Sequence, residues 1–147
     1  MARVFEHSVE ADLEHLKDVR RFVQQSGRAL GIDEETLGDL CLVVDEAVTN
    51  VILHGYDGSG GSVDLCVRGE GEDLFVTIRD SAPAFEPSGI ESPHLDEPLV
   101  NRKFGGMGVY LIRKLTDEVE FRVLPDSGNE LYMRKRGVVA PAASQDG

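Results

Sequence analysis

The pattern of apolar and polar positions predicts a strand followed by two amphipathic helices. Residues 3–9 alternate weakly, as in a short strand, and residues 12–30 carry apolar side chains on one helical stripe. Gly31 is placed to end the first helix, and Asp33 is placed to cap the second, which runs from about 34 to 54. The first stripe comprises Leu13, Leu16, Val19, Val23 and Leu30. The second comprises Leu37, Leu40, Cys41, Val44, Ala47, Val48 and Val51.

Four further segments alternate with a period of two and predict strands, at 62–68, 74–79, 118–123 and 130–134. Each has one apolar face and one mostly polar face. A sheet built from such strands needs a cover on one side only, and the helices can provide it. The sequence therefore predicts an α/β (α+β) two-layer sandwich with a mixed, mostly antiparallel sheet and helices on one face.

Glycines and prolines mark the connections. Four of the seven residues in Gly55–Gly61 are glycine, which predicts a loop, and residues 81–104 hold four of the six prolines without any periodicity. A loop of that length in a compact domain is typical of a lid or binding loop. Directly after it, a glycine-rich turn opens a third helix. We expect one domain over residues 1–136 and a flexible C-terminal tail over residues 137–147.

Charge and composition narrow the function classes. The chain has 147 residues, and 15 Lys+Arg against 27 Asp+Glu give 15 − 27 = −12, which disfavours direct binding to nucleic acid or to an anionic membrane surface. The longest apolar run, Leu40–Val44, is far shorter than a membrane span. The first 15 residues contain no apolar segment of the secretory type, so we expect a cytoplasmic location.

Three polar side chains share one face of the predicted second helix. Glu46, Asn50 and His54 are spaced i, i+4, i+8, beside the apolar stripe. A carboxylate one turn from a carboxamide suits a general base beside a ligand for a hard cation such as Mg²⁺. The alternative is an ordinary polar helix face, with His54 interacting favourably with the C-terminal end of the helix dipole.

Two later segments could bind a nucleotide. Asp80 ends a predicted strand, where its carboxylate could accept a hydrogen bond from an exocyclic amine or could simply start a turn. The turn Gly105–Gly108 at a helix start leaves backbone N–H groups open to phosphate, and Arg102 and Lys103 lie just upstream. Close packing is the alternative explanation for these glycines.

Taken in order, these segments resemble a known family. The chain reads Asp45-Glu46-Ala47-Val48-Thr49-Asn50, then Arg79-Asp80-Ser81-Ala82-Pro83, then Phe104-Gly105-Gly106-Met107-Gly108-Val109-Tyr110-Leu111-Ile112. This order resembles the N, G1 and G2 boxes of the GHKL superfamily of ATP-binding proteins, which have the Bergerat-type fold. The likeness covers roughly residues 5–136 and is greatest to the anti-sigma-factor serine/threonine kinases of bacterial partner-switching systems.

The resemblance implies ATP and Mg²⁺ as cofactors and gives roles to individual residues. It implies that Asn50 binds Mg²⁺, that Glu46 is the general base and that Asp80 accepts the adenine amine. Ala82 departs from the family, which usually has glycine there. The implied nucleotide-binding set comprises Asn50, His54, Asp80, Ala82, Phe85, Arg102, Lys103, Gly105, Gly106, Met107, Gly108 and Val109.

Three functions remain open at this point. The first is an ATP-dependent kinase that phosphorylates a serine on an antagonist protein and sequesters a sigma factor or equivalent regulator. The second is an ATP-gated binding module with little kinase activity, and the third is a detached histidine-kinase catalytic domain. The resemblance implies a STAS-domain anti-anti-sigma protein and a sigma factor as partners, and a homodimer.

Overall fold

The computed structural model describes residues 2–56, 60–83, 106–125 and 128–140. The strands are β1 (Ala2–Glu10), β2 (Ser62–Glu70), β3 (Asp73–Asp80), β4 (Glu118–Val123) and β5 (Asn129–Lys135). The α-helices are α1 (Leu16–Ala29), α2 (Glu34–Asn50) and α3 (Gly106–Leu115). A 3-10 turn at Leu13–His15 precedes α1, and a π-helical turn at Val51–Gly55 follows α2.

The strands form one sheet in the order β1-β2-β3-β5-β4. All four pairings between the described strands are antiparallel. Every second residue of β2 and β3 is buried over most of each strand, as the period of two predicts. The predicted two-layer α+β sandwich is confirmed. The sequence predicted a mixed, mostly antiparallel sheet, and the pairings between the described strands are antiparallel.

One apolar core lies between the helices and the sheet. It joins the buried stripes of α1 and α2 to the inward faces of the strands. Burial of each such side chain stabilises the fold by about 1.5–3 kcal/mol, so this layer supplies most of the driving force. Among the described residues, no helix is long and apolar enough to cross a membrane. The side chains with less than 2% exposure include Val19, Val23, Leu30, Val43, Val44, Val48, Val63, Val67, Leu74, Ile78, Ile112 and Met133.

The boundary between α1 and α2 follows the capping residues. Gly31 has a φ of 74°, a left-handed conformation that favours glycine, and it ends α1. The Asp33 carboxylate accepts a hydrogen bond from the Thr36 N–H at 2.8 Å, and this bond lowers the pKa of Asp33. Both predicted helix signals are confirmed.

The start of α1 differs from the prediction. The Asp12 carboxylate accepts a hydrogen bond from the Glu14 N–H at 2.8 Å and starts a 3-10 turn. A 3-10 turn holds about three residues rather than 3.6, so its side chains fall out of phase with the helix that follows. Leu13 is therefore 49% exposed instead of belonging to the buried stripe.

The face of the sheet opposite the core carries charged and aromatic side chains. The Arg68 guanidinium lies 4.4 Å from the centre of the Phe75 ring, within cation–π range. Glu130 is buried between two arginines, accepting from Arg79 Nε at 2.6 Å and from Arg122 Nη1 at 3.0 Å. Because β5 lies between β3 and β4, the strand register itself brings both arginines to this one carboxylate.

The segment after β5 packs on the domain further than predicted. Val139 is 4% exposed, and its N–H donates to the Glu72 carbonyl oxygen at 3.0 Å. The Ala140 N–H donates to the Leu30 carbonyl oxygen at 3.0 Å. Val139 and Ala140 therefore pack on the domain, whereas residues 141–147 lie outside the described part of the chain, and the flexible tail stays a prediction.

Two glycines with positive φ provide a matched test of how closely chain segments approach each other. A Cβ on Gly128 (φ 98°) would lie 2.1 Å from the Asp80 carbonyl oxygen, whereas one on Gly71 (φ 61°) would meet nothing within 4 Å. We expect Gly71→Ala to lower the free energy of unfolding by about 1–2 kcal/mol, the cost of the left-handed backbone. Gly128→Ala should cost more, roughly 3 kcal/mol or above, because backbone must move. Urea unfolding of both variants measures the difference, and equal losses would contradict it.

Candidate functional site

Glu46 and Asn50 lie one turn apart near the C-terminal end of α2. Both side chains are half-buried, while Ala47 and Val48 between them face the core. Neither the Glu46 carboxylate nor the Asn50 carboxamide is hydrogen-bonded within the described residues. The neighbouring carboxylate, Asp45, is instead engaged across the helix pair, with its Oδ2 at 3.1 Å from Arg20 Nη2. The predicted pair is therefore on one face and open to a ligand.

The helix does not continue regularly to residue 54. After Asn50 the chain enters the π-helical turn, closed by the Tyr56 N–H donating to the Val51 carbonyl oxygen at 2.8 Å. This i→i+5 bond encloses one residue more than an α-helical turn. His54, which is exposed, therefore does not keep the regular helical spacing that the sequence predicted for it.

Asp80 ends β3 at a tight corner. Its Oδ1 accepts from the Ala82 N–H at 2.9 Å and from Asn129 Nδ2 at 2.9 Å. Burial raises the pKa of the Asp80 carboxyl, although these two hydrogen bonds act in the opposite direction. Asp80 therefore does start a turn, as one interpretation held, but only Oδ1 takes part. Its Oδ2 accepts no hydrogen bond from the described residues and could accept one from a ligand.

Ala82 brings this corner to the end of α2. It is 1% exposed, and a Cβ built on Gly55 would lie 3.2 Å from the Ala82 Cβ and 4.0 Å from the Asn50 carbonyl oxygen. The methyl group thus occupies space that Gly55 leaves open. Gly55 lies five residues beyond Asn50, so this close approach places the corner that holds Asp80 beside the C-terminal end of α2.

Tyr56 stabilises the same junction and was not recognised from the sequence as a site residue. Its hydroxyl donates to the Ser62 carbonyl oxygen at 2.8 Å and accepts from the Ser81 N–H at 2.7 Å. A Cβ on Gly61 would lie 2.3 Å from the Tyr56 ring, so only glycine fits against it. Its local signal in the sequence was its place in the glycine-rich stretch Gly55–Gly61, directly after His54 and Gly55.

Asn129, the first residue of β5, is the second residue that the sequence analysis missed. It is 9% exposed and lies opposite Asp80 in the β3–β5 register. Its Nδ2 contacts Asp80 Oδ1, the Pro83 carbonyl oxygen at 3.1 Å and the Ala82 carbonyl oxygen at 3.4 Å. These partners are distant in the sequence, so no local pattern indicates the contact.

The remaining predicted residues are Phe85 and those in and before the glycine-rich turn. Phe85, Arg102, Lys103 and Gly105 lie outside the described residues. Gly106, Met107, Gly108 and Val109 form the first turn of α3, as the predicted helix start requires. That helix packs against α2, and its N-terminal backbone amides would suit an anion.

The donor types around Asn50 fit a magnesium ion. A carboxamide oxygen and a nearby carboxylate are hard ligands, and Mg²⁺ usually takes only one or two protein ligands and completes its shell with phosphate and water. In the described ranges, no group of three or more His, Cys, Asp or Glu side chains could hold a metal ion.

Comparison with known proteins identifies the family to which the chain is similar. The family model of the histidine kinase-like ATPase domain matches residues 9–135. An anti-sigma F factor of Bacillus licheniformis is 33% identical over 109 residues, 69% of this chain and 70% of that protein. A serine-protein kinase RsbW of Halalkalibacterium halodurans is 31% identical over 134 residues, 88% of this chain and 81% of that protein.

Two solved structures share the fold. The chain with the RsbU and RsbW domains from Mycobacterium tuberculosis matches at a TM-score of 0.62 and 17% identity, over 95% of this chain and 34% of that longer one. The SiaB–SiaC complex of Pseudomonas aeruginosa matches at a TM-score of 0.56 and 10% identity, over 90% and 88% of the two chains. From the family match over most of its length, this chain belongs to the histidine kinase-like ATPase domain family.

Proposed function

We propose that this protein is an ATP-dependent serine/threonine kinase that phosphorylates an antagonist protein and sequesters a sigma factor or an equivalent regulator. The observation that carries the proposal is the close approach of Gly55 and Ala82, which sets the Asp80 corner beside the end of α2, the helix that carries Glu46 and Asn50. Membership of the ATPase family and the names of the curated relatives, an anti-sigma factor and a serine-protein kinase, support the kinase and anti-sigma parts.

The nucleotide is held from both sides of this junction. Asp80 Oδ2 accepts the exocyclic amine of adenine, since Oδ1 is committed to the turn. Asn50 contributes its side-chain oxygen to Mg²⁺, which supplies charge neutralisation on the phosphates when bound. His54, Ala82 and Phe85 complete this half of the proposed binding set.

The phosphate half is assigned to the glycine turn and the start of α3. We assign phosphate binding to the backbone amides of Gly106 and Gly108, with Met107 and Val109 in the same turn, and to Gly105, which precedes them in the sequence. Glycine permits an oxygen to approach the backbone closely, and the helix N-terminus favours negative charge. Arg102 and Lys103 contribute positive charge near the terminal phosphate.

The chemistry needs one proton acceptor and alignment. Glu46 accepts the proton of the target hydroxyl. At the same time the hydroxyl oxygen forms a bond to the γ-phosphorus, and the bond from that phosphorus to the ADP oxygen breaks. General-base catalysis of this kind contributes typically 10²–10⁴-fold. Phosphoryl transfer otherwise depends mostly on position and charge stabilisation, which the binding set provides.

The proposed partners are proteins. We assign the target hydroxyl to a STAS-domain anti-anti-sigma protein and the sequestered partner to a sigma factor, with a homodimer as the functional unit. The net charge of −12 makes direct nucleic-acid binding unfavourable, so the effect on transcription runs through the sigma factor.

An ATP-gated binding module with little kinase activity is the second candidate, and Ala82 is the residue that favours it. The family usually has glycine there, and the buried methyl group fixes how the corner packs on Gly55. If that packing places the nucleotide out of line with Glu46, ATP would still close the site and switch partners without phosphoryl transfer.

Asn50→Ala should remove the magnesium-dependent part of ATP binding, because the carboxamide oxygen is its proposed ligand. Asn50→Asp is the matched control, since it keeps an oxygen ligand of the same size. Calorimetric titration with ATP, with and without Mg²⁺, should show magnesium enhancement in wild type and Asn50→Asp only. Equal enhancement in wild type and Asn50→Ala would refute the assignment.

Glu46→Gln should slow phosphoryl transfer by about 10²–10⁴-fold while leaving the ATP dissociation constant little changed, since it removes the base but keeps the shape. The measurement is transfer of labelled phosphate to the cognate antagonist, beside an ATP titration. Asp45→Asn is the matched control, because this adjacent carboxylate contacts Arg20 rather than the site.

The results separate the two candidates. Transfer at the wild-type rate by Glu46→Gln would exclude Glu46 as the base. A wild-type protein that binds ATP and partner yet transfers no phosphate would replace the kinase with the binding module.

A further inference from the structure

The side-chain amide of Asn129 lies among hydrogen-bond acceptors. Asp80 Oδ1 is at 2.9 Å, the Pro83 carbonyl oxygen at 3.1 Å and the Ala82 carbonyl oxygen at 3.4 Å. All three are oxygens that cannot donate when Asp80 is ionised, so the atom facing them must be the NH₂ group. Its two hydrogens serve the two shorter contacts, and the longer one shares a hydrogen.

The position of Asn129 is fixed by the sheet. It is directly opposite Asp80 in the β3–β5 pairing and is 9% exposed. Gly128 before it lets the backbone approach the Asp80 carbonyl oxygen, where any Cβ would be 2.1 Å away. The carboxamide therefore stands on two paired strands rather than on a loop, which limits its movement.

We propose that Asn129 is the positioning residue that sets base specificity: by holding Oδ1 of Asp80, it orients Oδ2 as the acceptor for the exocyclic amine of adenine. This inference rests on the proposed function, because it concerns the same nucleotide site. A residue far along the chain, at the start of β5, thereby determines which carboxyl oxygen Asp80 presents to the base.

The protonation state of Asp80 determines which purine its carboxyl group can bind. The ionised carboxylate accepts from an amine, whereas the protonated acid can donate to a 6-oxo purine. Burial raises the pKa of Asp80, and hydrogen bonds from Asn129 and the Ala82 N–H counteract that rise. Loss of the Asn129 donor should therefore raise the pKa of Asp80 further and weaken adenine recognition as the pH falls.

Other charged side chains described near this end of the sheet lie on its opposite face or on the π-helical turn. On β3 and β5 the adjacent residues, Arg79 and Glu130, bond to each other on the opposite face, where Asp64 of β2 pairs in register with Arg79. The π-helical turn carries His54, and the Tyr56 hydroxyl directly after it donates to the Ser62 carbonyl oxygen. These residues remain unchanged in every variant, so they contribute equally to each comparison.

The first test needs no nucleotide. The titration of the Asp80 carboxyl carbon, followed by NMR in the free protein, should move to higher pH in Asn129→Ala, because the carboxylate loses a hydrogen-bond donor. In the nearly isosteric Asn129→Asp, two carboxyl groups share one site, so the second of their two ionisations should occur at a pH higher still. Asn129→Ser, which keeps a hydroxyl donor, should return part of the wild-type value. Unchanged titration in folded Asn129→Ala and Asn129→Asp would overturn the proposal.

The second test compares ATP with ITP, which differs by carrying a 6-oxo group in place of the amine. We expect Asn129→Ala to lower ATP affinity about tenfold at neutral pH, with ITP affected less, so that the ATP/ITP preference falls. Asn129→Ser should restore part of the preference. An equal loss for both nucleotides would indicate a merely structural role and would overturn the assignment of specificity.

The two arms also separate this inference from the proposed function. If wild type bound neither ATP nor ITP, the proposed function and the base-specific role would both fail, while the carboxyl titration would still decide whether Asn129 positions Asp80. If wild type prefers ATP and the variants keep that preference, the proposed function stands and Asn129 has no part in it.

Discussion

The two backbone N–H groups immediately after β3 each donate a hydrogen bond to a side-chain oxygen. The Ser81 N–H donates to the Tyr56 hydroxyl at 2.7 Å, and the Ala82 N–H donates to Asp80 Oδ1 at 2.9 Å. A buried N–H without a partner costs roughly 1–3 kcal/mol, so these bonds determine where the chain can turn. The corner is thus built from side chains, and the proposed adenine site depends on it.

The sheet makes this corner possible. Register places Asn129 opposite Asp80, and Gly128 and Gly61 permit backbone approaches that a side chain would block. The proposed catalytic pair stands on a helix whose inner face is anchored in the core by Val48 and its neighbours. Each half of the proposed site is therefore attached to regular structure, and a contact between two small residues joins the halves.

Local patterns predicted the elements well because their causes are local. Period-two alternation located β2 and β3, and the cap at Asp33 located the start of α2. The placement of Glu46 and Asn50 on one helical face followed from spacing alone. Tyr56 and Asn129 could not be found in this way, because their partners at the corner are 25 and 49 residues away. The membership of the family was predictable because its motifs are short and ordered along the chain.

The π-helical turn at Val51–Gly55 has a consequence for how this chain could vary by insertion and deletion. It contains one residue more than a regular turn, closed by the Tyr56 N–H on the Val51 carbonyl oxygen. Deletion of one residue here would restore an unbroken α-helix but rotate everything beyond it by about 100°. Gly55 would then no longer face Ala82, and the Tyr56 hydroxyl would leave Ser81. The extra residue thus fixes the rotation of the chain after α2 relative to the corner after β3. Relatives that share this junction must therefore keep the same number of residues between α2 and Tyr56.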